Sequence, residues 1–368
     1  MGLTQNPKVY MDYASTAPLS KSVWGKLNSL GSNWHNPSSS YAAGAYNKFV
    51  LEEVRKKFAE SINAEPDEII FTSSGSEANA LAIDGFLKAN EGCKECHCSN
   101  IEHASVIENP NCIADIKVNK EGIVDLETVP LCRSFCSVMM CNNEIGTYQP
   151  IASIGDIVHY YDGVLHVDAV QAYGKIRIDV KELNVDMMSF SGHKIGSLRG
   201  VGVLYVKKGI KLSPIIYGTQ EQHLRGGTYN DLAIKTLGLA IDDINYDLDP
   251  IVRNKRNYLL ERLLKIPNVR LNGTMTGRSS SNINILVKNM NVDSQQMVSI
   301  LDENGFMVSG GSACHSYSKE PSHVLKAIGL SDEEANHSLR ITVDADIPVE
   351  QLKQFVEVFK NMIKMFGK

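Results

Sequence analysis

Over the first two-thirds of the chain, short continuous apolar runs alternate with longer stretches whose apolar residues recur every three or four positions. Continuous runs of this length mark strands buried on both faces, and the 3.6-residue period marks helices with one buried stripe. The runs predict strands at 68–72, 95–99, 113–118, 134–141, 163–168, 187–191 and 202–206. The segment 45–62 predicts a helix with Phe49, Val50, Val54, Phe58 and Ile62 on one face, and another helix opens at Gly75-Ser76-Glu77 directly after a strand. Strands alternating with helices predict a mostly parallel sheet.

The pattern changes after about residue 210. A long helical region, 232–264, is interrupted near Asp249-Pro250; strands follow at 282–287 and 338–343, with helices at 293–304 and 349–366. In the last helix Leu352, Phe355, Val356, Phe359, Ile363 and Phe366 form an apolar stripe that reads as core. The expectation is a large α/β domain over 15–245, and a smaller α+β domain built from 1–14 and 246–368.

The chain has 368 residues, of which 43% are hydrophobic and 21% charged, with a net charge of −5. The acidic balance argues against a non-specific nucleic-acid binder. The longest uncharged stretch, 27–47, is rich in Ser, Asn, His and Pro, so no membrane span is expected. The first residues carry neither a basic patch nor an apolar segment, and Asn6 stands where myristoylation needs Ser or Thr. A cytoplasmic protein with reduced thiols is expected for its eight cysteines. Cys93, Cys96 and Cys98, with His97 and Cys112, have spacings that suit zinc, but Cys96 and Cys98 fall at period two in a strand, which favours packing; no metal site is expected. Cys132, Cys136 and Cys141 read as packing around a buried strand.

Four features carry chemistry. Lys194 follows the strand ending at Ser191, in Ser191-Gly192-His193-Lys194, where open α/β sheets place ligands. A desolvated lysine there is able to hold an aldehyde, although a solvated loop lysine fits the same pattern. Asp168 ends another strand; it suits a protonated pyridine nitrogen, or equally the cap of a following helix. Thr72-Ser73-Ser74-Gly75-Ser76-Glu77 joins a strand to a helix start, a cradle for phosphate or an ordinary N-cap. Cys314 lies in the small, polar run Ser309-Gly310-Gly311-Ser312-Ala313-Cys314-His315-Ser316, a loop that favours an accessible thiol.

In this order the four features resemble the cysteine desulfurases, specifically their group I (NifS/IscS-like) branch. Further matching segments are Met11–Pro18, Asn36-Pro37-Ser38, Glu102-His103, Asn142–Gly146, His166–Gln171, Arg225 with Gly227-Thr228, Glu320-Pro321-Ser322 and Arg340, so the resemblance spans nearly the whole chain. It implies a fold-type I pyridoxal 5'-phosphate (PLP) enzyme: a large domain with a mostly parallel seven-stranded sheet plus a smaller α+β domain, in a homodimer with sites at the interface. Lys194 is then the lysine that holds the cofactor's aldehyde, Asp168 the partner of its pyridine nitrogen, and His103 the histidine that stacks on the ring and relays protons. Asn143 and Gln171 match residues near the ring's 3' oxygen. Gly75, Ser76, Ser191 and His193 match the phosphate cup, and Thr228 a threonine that reaches the neighbouring subunit's phosphate. Arg340 matches the arginine that binds the substrate carboxylate, with Asn143 beside it, and Cys314 the nucleophile that takes sulfur from L-cysteine for delivery to an acceptor protein. That acceptor is an iron–sulfur scaffold or a sulfur relay such as tRNA thiolation.

The chain departs from that family in places. Tyr217-Gly218-Thr219-Gln220-Glu221 replaces a glycine-rich run, His223 stands where glycine is common, and Ser197-Leu198-Arg199-Gly200 replaces Gly-Pro-Lys-Gly. The sequence ends soon after its last helix, short of a tail that longer members use in docking the iron–sulfur scaffold. Two other readings stay open from the residues alone. One is another PLP enzyme, a selenocysteine lyase or aminotransferase. The other is a catalytically idle binding protein or a cysteine-cluster metal protein.

Overall fold

The computed structural model describes residues 8–310 and 320–368. β1 (Val9–Tyr10) is followed by a central sheet of β2 (Ile69–Thr72), β3 (Cys96–Ser99), β4 (Cys112–Ile116), β5 (Phe135–Met139), β6 (Val164–Asp168), β7 (Met187–Ser191) and β8 (Gly202–Val206). Their order is β2-β8-β7-β6-β5-β3-β4. Strands β4, β3, β5, β6 and β7 pair in parallel, and β8 runs antiparallel to both β7 and β2. Every residue of β2, β5, β7 and β8 is buried, which is why these strands read as continuous apolar runs. The crossovers carry α1 (Lys21–Gly31), α2 (Ala42–Ser61), α3 (Gly75–Ala89), α4 (Ala104–Ile107), α5 (Ile151–Tyr160) and α6 (Asp231–Asp242).

The remaining elements are α7 (Asp249–Leu264), β9 (Val269–Leu271), β10 (Asn282–Val287), α8 (Ser294–Glu303), β11 (Phe306–Met307), α9 (His323–Ala327), α10 (Asp332–Asn336), β12 (Ser338–Thr342) and α11 (Val349–Phe366). An antiparallel sheet ordered β12-β10-β9 packs with the α11 stripe, and its core takes in Met11 from the N-terminal segment. β1 pairs in parallel with β11. Residues 8–13 therefore pack with the C-terminal part of the chain, and the next few residues cross to the central sheet, where Ser20 N–H donates to Gly196 O at 2.9 Å.

Some expectations are corrected. α2 starts at Ala42 and turns Leu51, Val54 and Phe58 inward, leaving Phe49 59% exposed. The helical break falls at 243–248, and Asp249-Pro250 opens α7, where proline's missing N–H costs nothing. Cys132 is exposed, whereas Cys136 and Cys141 are buried. Cys96 and Cys98 are buried in an apolar cluster with Phe135 and Val106, and burial raises the Cys96 thiol well above its ordinary range. Among the described residues, no group of three or more His, Cys, Asp or Glu is arranged to hold a metal ion, and no helix is long and apolar enough to cross a membrane.

The segment that departs from the glycine-rich pattern folds by a different device. Glu221, Gln222 and His223 all take left-handed backbone conformations, with φ of 48°, 56° and 68°, a region that disfavours side chains. A buried ion pair holds them. Arg55 of α2 donates from Nη1 and Nη2 to the two Glu221 carboxylate oxygens at 2.8 Å each, and Phe71 N–H donates to Glu221 Oε2 at 2.7 Å. Removing one member of such a pair strands the other charge in the interior. Arg55→Ala is therefore expected to lower unfolding stability by about 3–5 kcal/mol, read from the denaturant midpoint. An unchanged midpoint would show that the pair does not hold this segment.

Candidate active site

Parallel strands all present their carboxyl ends on one side, so the side chains that follow them converge there. Gly75 and Ser76 follow β2, His103 follows β3, Asn143 follows β5, Asp168 ends β6, and Ser191, His193 and Lys194 end or follow β7. Together with Gln171 and Arg340 they line one cavity of about 290 Å³.

Asp168 is the buried charge at its base. Val170 N–H donates to Oδ1 at 2.9 Å, and Asn79 Nδ2 donates to Oδ2 at 2.8 Å. Asn79 Nδ2 also donates to Ser105 Oγ at 2.9 Å, and Ser105 Oγ lies 2.9 Å from His103 Nδ1. A hydrogen-bonded chain thus joins Asp168 to His103. Asn79 and Ser105 escape a reading by motif. The signal in the sequence is faint: Asn79 is a polar residue one turn beyond Gly75, on the α3 face that buries Ala78, Leu81 and Ala82.

The start of α3 forms the cup. Ser74 Oγ accepts from Glu77 N–H at 3.1 Å, and Glu77 in turn accepts from Ser73 N–H at 2.8 Å. The N–H groups of Gly75 and Ser76, ahead of the first intrahelical bond, are left for an acceptor outside the helix. A Cβ on Gly75 would come within 2.7 Å of Val170 Cγ2, so only glycine lets the helix start approach the turn after Asp168. His193 Nδ1 lies 3.0 Å from Thr16 Oγ1; burial, then the charges of Lys194 and Arg199, push its pKa down to about 4 and keep it neutral at pH 7. His166, by contrast, lies within the sheet between Ser137 Oγ and Ser189 Oγ, 2.8 Å from each, where burial pushes it down to about 3.

Lys194 reaches back to the N-terminal crossing, where Nζ donates to Ala14 O at 2.6 Å and Ser15 O at 2.8 Å. Arg340, 2% exposed, is fixed from behind: Nη2 donates to Asp12 Oδ1 at 2.8 Å and Ser15 Oγ at 2.7 Å, and Nη1 to Asn143 O at 3.1 Å. Cys314 is outside the described residues. Thr228 is exposed and does not line this cavity. Nor does Thr228 cap α6, a task that falls to Asn230, whose Oδ1 accepts from Ala233 N–H. Arg225 pairs within its own chain, Nε to Glu77 Oε1 at 2.7 Å.

Among the described residues, seven side-chain polar atoms are buried without a partner, and three of them, Asn79 Oδ1, Glu102 Oε2 and Arg340 Nε, belong to side chains that line this cavity. Three such atoms at one cavity suit a polar ligand. A carboxylate at the base, amide donors beside Ser76 and Ser191, and an amine on a flexible stem fit PLP's pyridine nitrogen, phosphate and aldehyde. Residues 9–355 match the family described as aminotransferase class-V. "Cysteine desulfurase IscS" of Methanosarcina thermophila is 37% identical, with 98% of this chain and 94% of that protein covered. The chain belongs to the aminotransferase class-V family, among its cysteine desulfurases. Two solved structures share this fold. A NifS-like protein from Rickettsia africae has a TM-score of 0.87 and 32% identity, covering 97% of this chain and 99% of that one. A protein named SspA, in complex with cysteine, has a TM-score of 0.80 and 30% identity, covering 91% and 99%. The fold-type I architecture, the mostly parallel seven-stranded sheet and the PLP dependence implied by the resemblance all hold.

Glu102 has a role that motif matching does not bring out. Oε1 accepts from Ser99 Oγ at 2.5 Å and from Met139 N–H at 2.7 Å, and burial raises the carboxyl well above its ordinary 4.5. Glu102 is protonated when folded and ionised when unfolded above pH 4.5, so the protein loses stability as pH rises from 4.5 toward the raised value. Glu102→Gln keeps the acceptor and removes the titration. Its melting temperature relative to wild type should rise as pH climbs above 4.5 toward the raised value; a pH-independent difference would contradict the neutral carboxyl.

Proposed function

We propose that this chain takes sulfur from L-cysteine, releasing L-alanine and leaving a persulfide on Cys314 for transfer to an acceptor protein. The observation that carries the reading is the convergence of Lys194, Asp168, His103 and Arg340 on one cavity at the carboxyl ends of the parallel strands. When bound, PLP supplies an electron sink for negative charge at the substrate Cα. Asp168 would pair with its pyridine nitrogen, and Gly75, Ser76, Ser191 and His193 would hold its phosphate. Arg340, its guanidinium plane set by Asp12 and Ser15, receives the substrate carboxylate beside Asn143. Lys194 Nζ moves the α-proton, and His103 relays protons at the cavity mouth. In the sulfur step the Cys314 thiolate bonds to the substrate sulfur, the Cβ–S bond breaks, and Cβ takes a proton. The products are the persulfide and alanine.

Assembly and location belong to the same reading. The division of the chain is 15–245 for the PLP-binding part, and 1–14 with 246–368 for the part that carries Cys314. Trp24, Trp34, Tyr41, Tyr46 and Phe49 are all more than half exposed within one short stretch of the chain, and Trp34 stacks on His35. Such a concentration of exposed aromatics suits a second copy of the chain. A homodimer also gives the exposed Thr228 a partner, the other subunit's phosphate cup. The protein works in the cytoplasm, and its acceptor is an iron–sulfur scaffold or a sulfur relay such as that of tRNA thiolation.

The test is alanine formation from L-cysteine with and without such acceptors. Cys314→Ser should keep PLP and lose persulfide and alanine output by a hundredfold or more, on the order of losing an attacking nucleophile. Alanine output from that variant equal to wild type would refute Cys314 as the group that takes the sulfur.

The dimer has its own test in mixed subunits. In a heterodimer of Thr228→Ala with Lys194→Ala chains, the intact Lys194 sits in a site that draws its threonine from the other chain. That site should retain PLP as wild type does; leakage like that of the Thr228→Ala homodimer would refute action across the interface.

A further inference from the structure

A second cavity, of about 230 Å³, backs onto the first, and Lys194 lines both. Lys175, in the turn after β6, also lines this rear cavity. Its Nζ donates to Gln171 Oε1 at 3.0 Å, Gln171 Nε2 donates to Ala14 O at 2.8 Å, and the same carbonyl accepts from Lys194 Nζ at 2.6 Å. A continuous series of hydrogen bonds therefore links a lysine outside the active site to the lysine within it.

The donor–acceptor chemistry fixes the middle of that series. An ammonium only donates and a carbonyl only accepts. With Lys175 on one side and Ala14 O on the other, the Gln171 amide has a single orientation, oxygen toward Lys175 and nitrogen toward Ala14. The amide nitrogen carries two hydrogens, and Ala14 takes one. The other is available to the active-site cavity, which Gln171 lines.

We propose that Lys175 is a positioning residue that holds the Gln171 amide with its second N–H offered to the cofactor, and sets a positive charge behind that amide. This rests on the assignment of the cavity to PLP, with Gln171 beside the ring's 3' oxygen. A donor and a positive charge at that oxygen favour its anionic form and disfavour a proton on the lysine–cofactor linkage. Burial acts most strongly on that charge and, with Arg340, lowers the Lys175 pKa below its ordinary value against the raising effects of Cys141 and Asp344. Asp243, Asp249, Tyr13, Tyr173 and Tyr246 line the same rear cavity.

The experiment titrates the visible absorbance of the full-length, PLP-loaded protein against pH and measures PLP dissociation by equilibrium dialysis. Lys175→Met should raise the midpoint of the absorbance change by about one pH unit, the size of a lost neighbouring charge, and weaken PLP retention severalfold. Lys175→Arg should restore the midpoint. A Lys175→Met protein that melts lower but titrates at the wild-type midpoint would overturn the proposal, because a merely structural lysine affects only stability. Should Lys175→Met fail to fold, Lys175→Gln keeps a neutral donor, and an unshifted midpoint there likewise overturns the charge. A wild-type protein without borohydride-sensitive absorbance would instead defeat the PLP assignment itself, a separate outcome.

Discussion

A carboxylate buried at the end of a central strand is the constraint around which the site is arranged. Asp168 is 5% exposed, and an ion in such a place is tolerated only with good hydrogen-bond partners and a cation to meet it. The protein supplies the partners: Val170 N–H from the turn that follows and Asn79 from the first turns of α3. The turn supplies a backbone donor and α3 a side-chain amide, and the glycine at the start of α3 allows the two elements to approach. The same helix start leaves N–H groups open to an anion. One buried charge thus bears on the packing of β6 against α3 and on the position of the cup, and it suits the cationic ring nitrogen proposed to meet it.

The second organising feature is the N-terminal crossing. Residues 8–13 pack with the C-terminal sheet, and Ala14, Ser15 and Thr16 lie over the cavity, touching Lys194, Gln171, Arg340 and His193. The segment links the charged groups of the site from one side while the sheet supports them from the other. Arg340 comes from β12 of the smaller sheet; this crossing fixes its guanidinium through Asp12 and Ser15, and Nη1 meets the central-sheet side directly at Asn143 O.

The architecture was legible in the sequence wherever one element's own periodicity decided it. β7, β8, β10 and α11 fall at the expected positions because each is either wholly buried or strictly amphipathic. Candidate residues that line the cavity, such as Lys194, Asp168 and His103, could be picked out because strand ends carry them in short motifs, whereas Thr228 is exposed and does not line it. What the sequence did not disclose depends on contacts between distant segments. Asn79 and Ser105 acquire meaning only when α3 and α4 meet at Asp168. Lys175 is unremarkable until Gln171 folds back onto it. The left-handed turn at Glu221–His223 looks unfavourable without Arg55, a residue far away in sequence that compensates it. Phe49 adjoins Val50 on the expected core face of α2, but its distance from Phe58 is about two and a half helical turns, which sets it on the opposite face, and Leu51, about two turns from Phe58, packs inward instead.

The central claim is that Lys194, and no other lysine, carries the cofactor. Borohydride reduction of the PLP-loaded protein, followed by mass mapping of its peptides, addresses it directly. The account predicts a phosphopyridoxyl mass on the peptide containing Lys194 and on no other. A label on Lys175, or on no lysine of a protein that binds PLP, would contradict it.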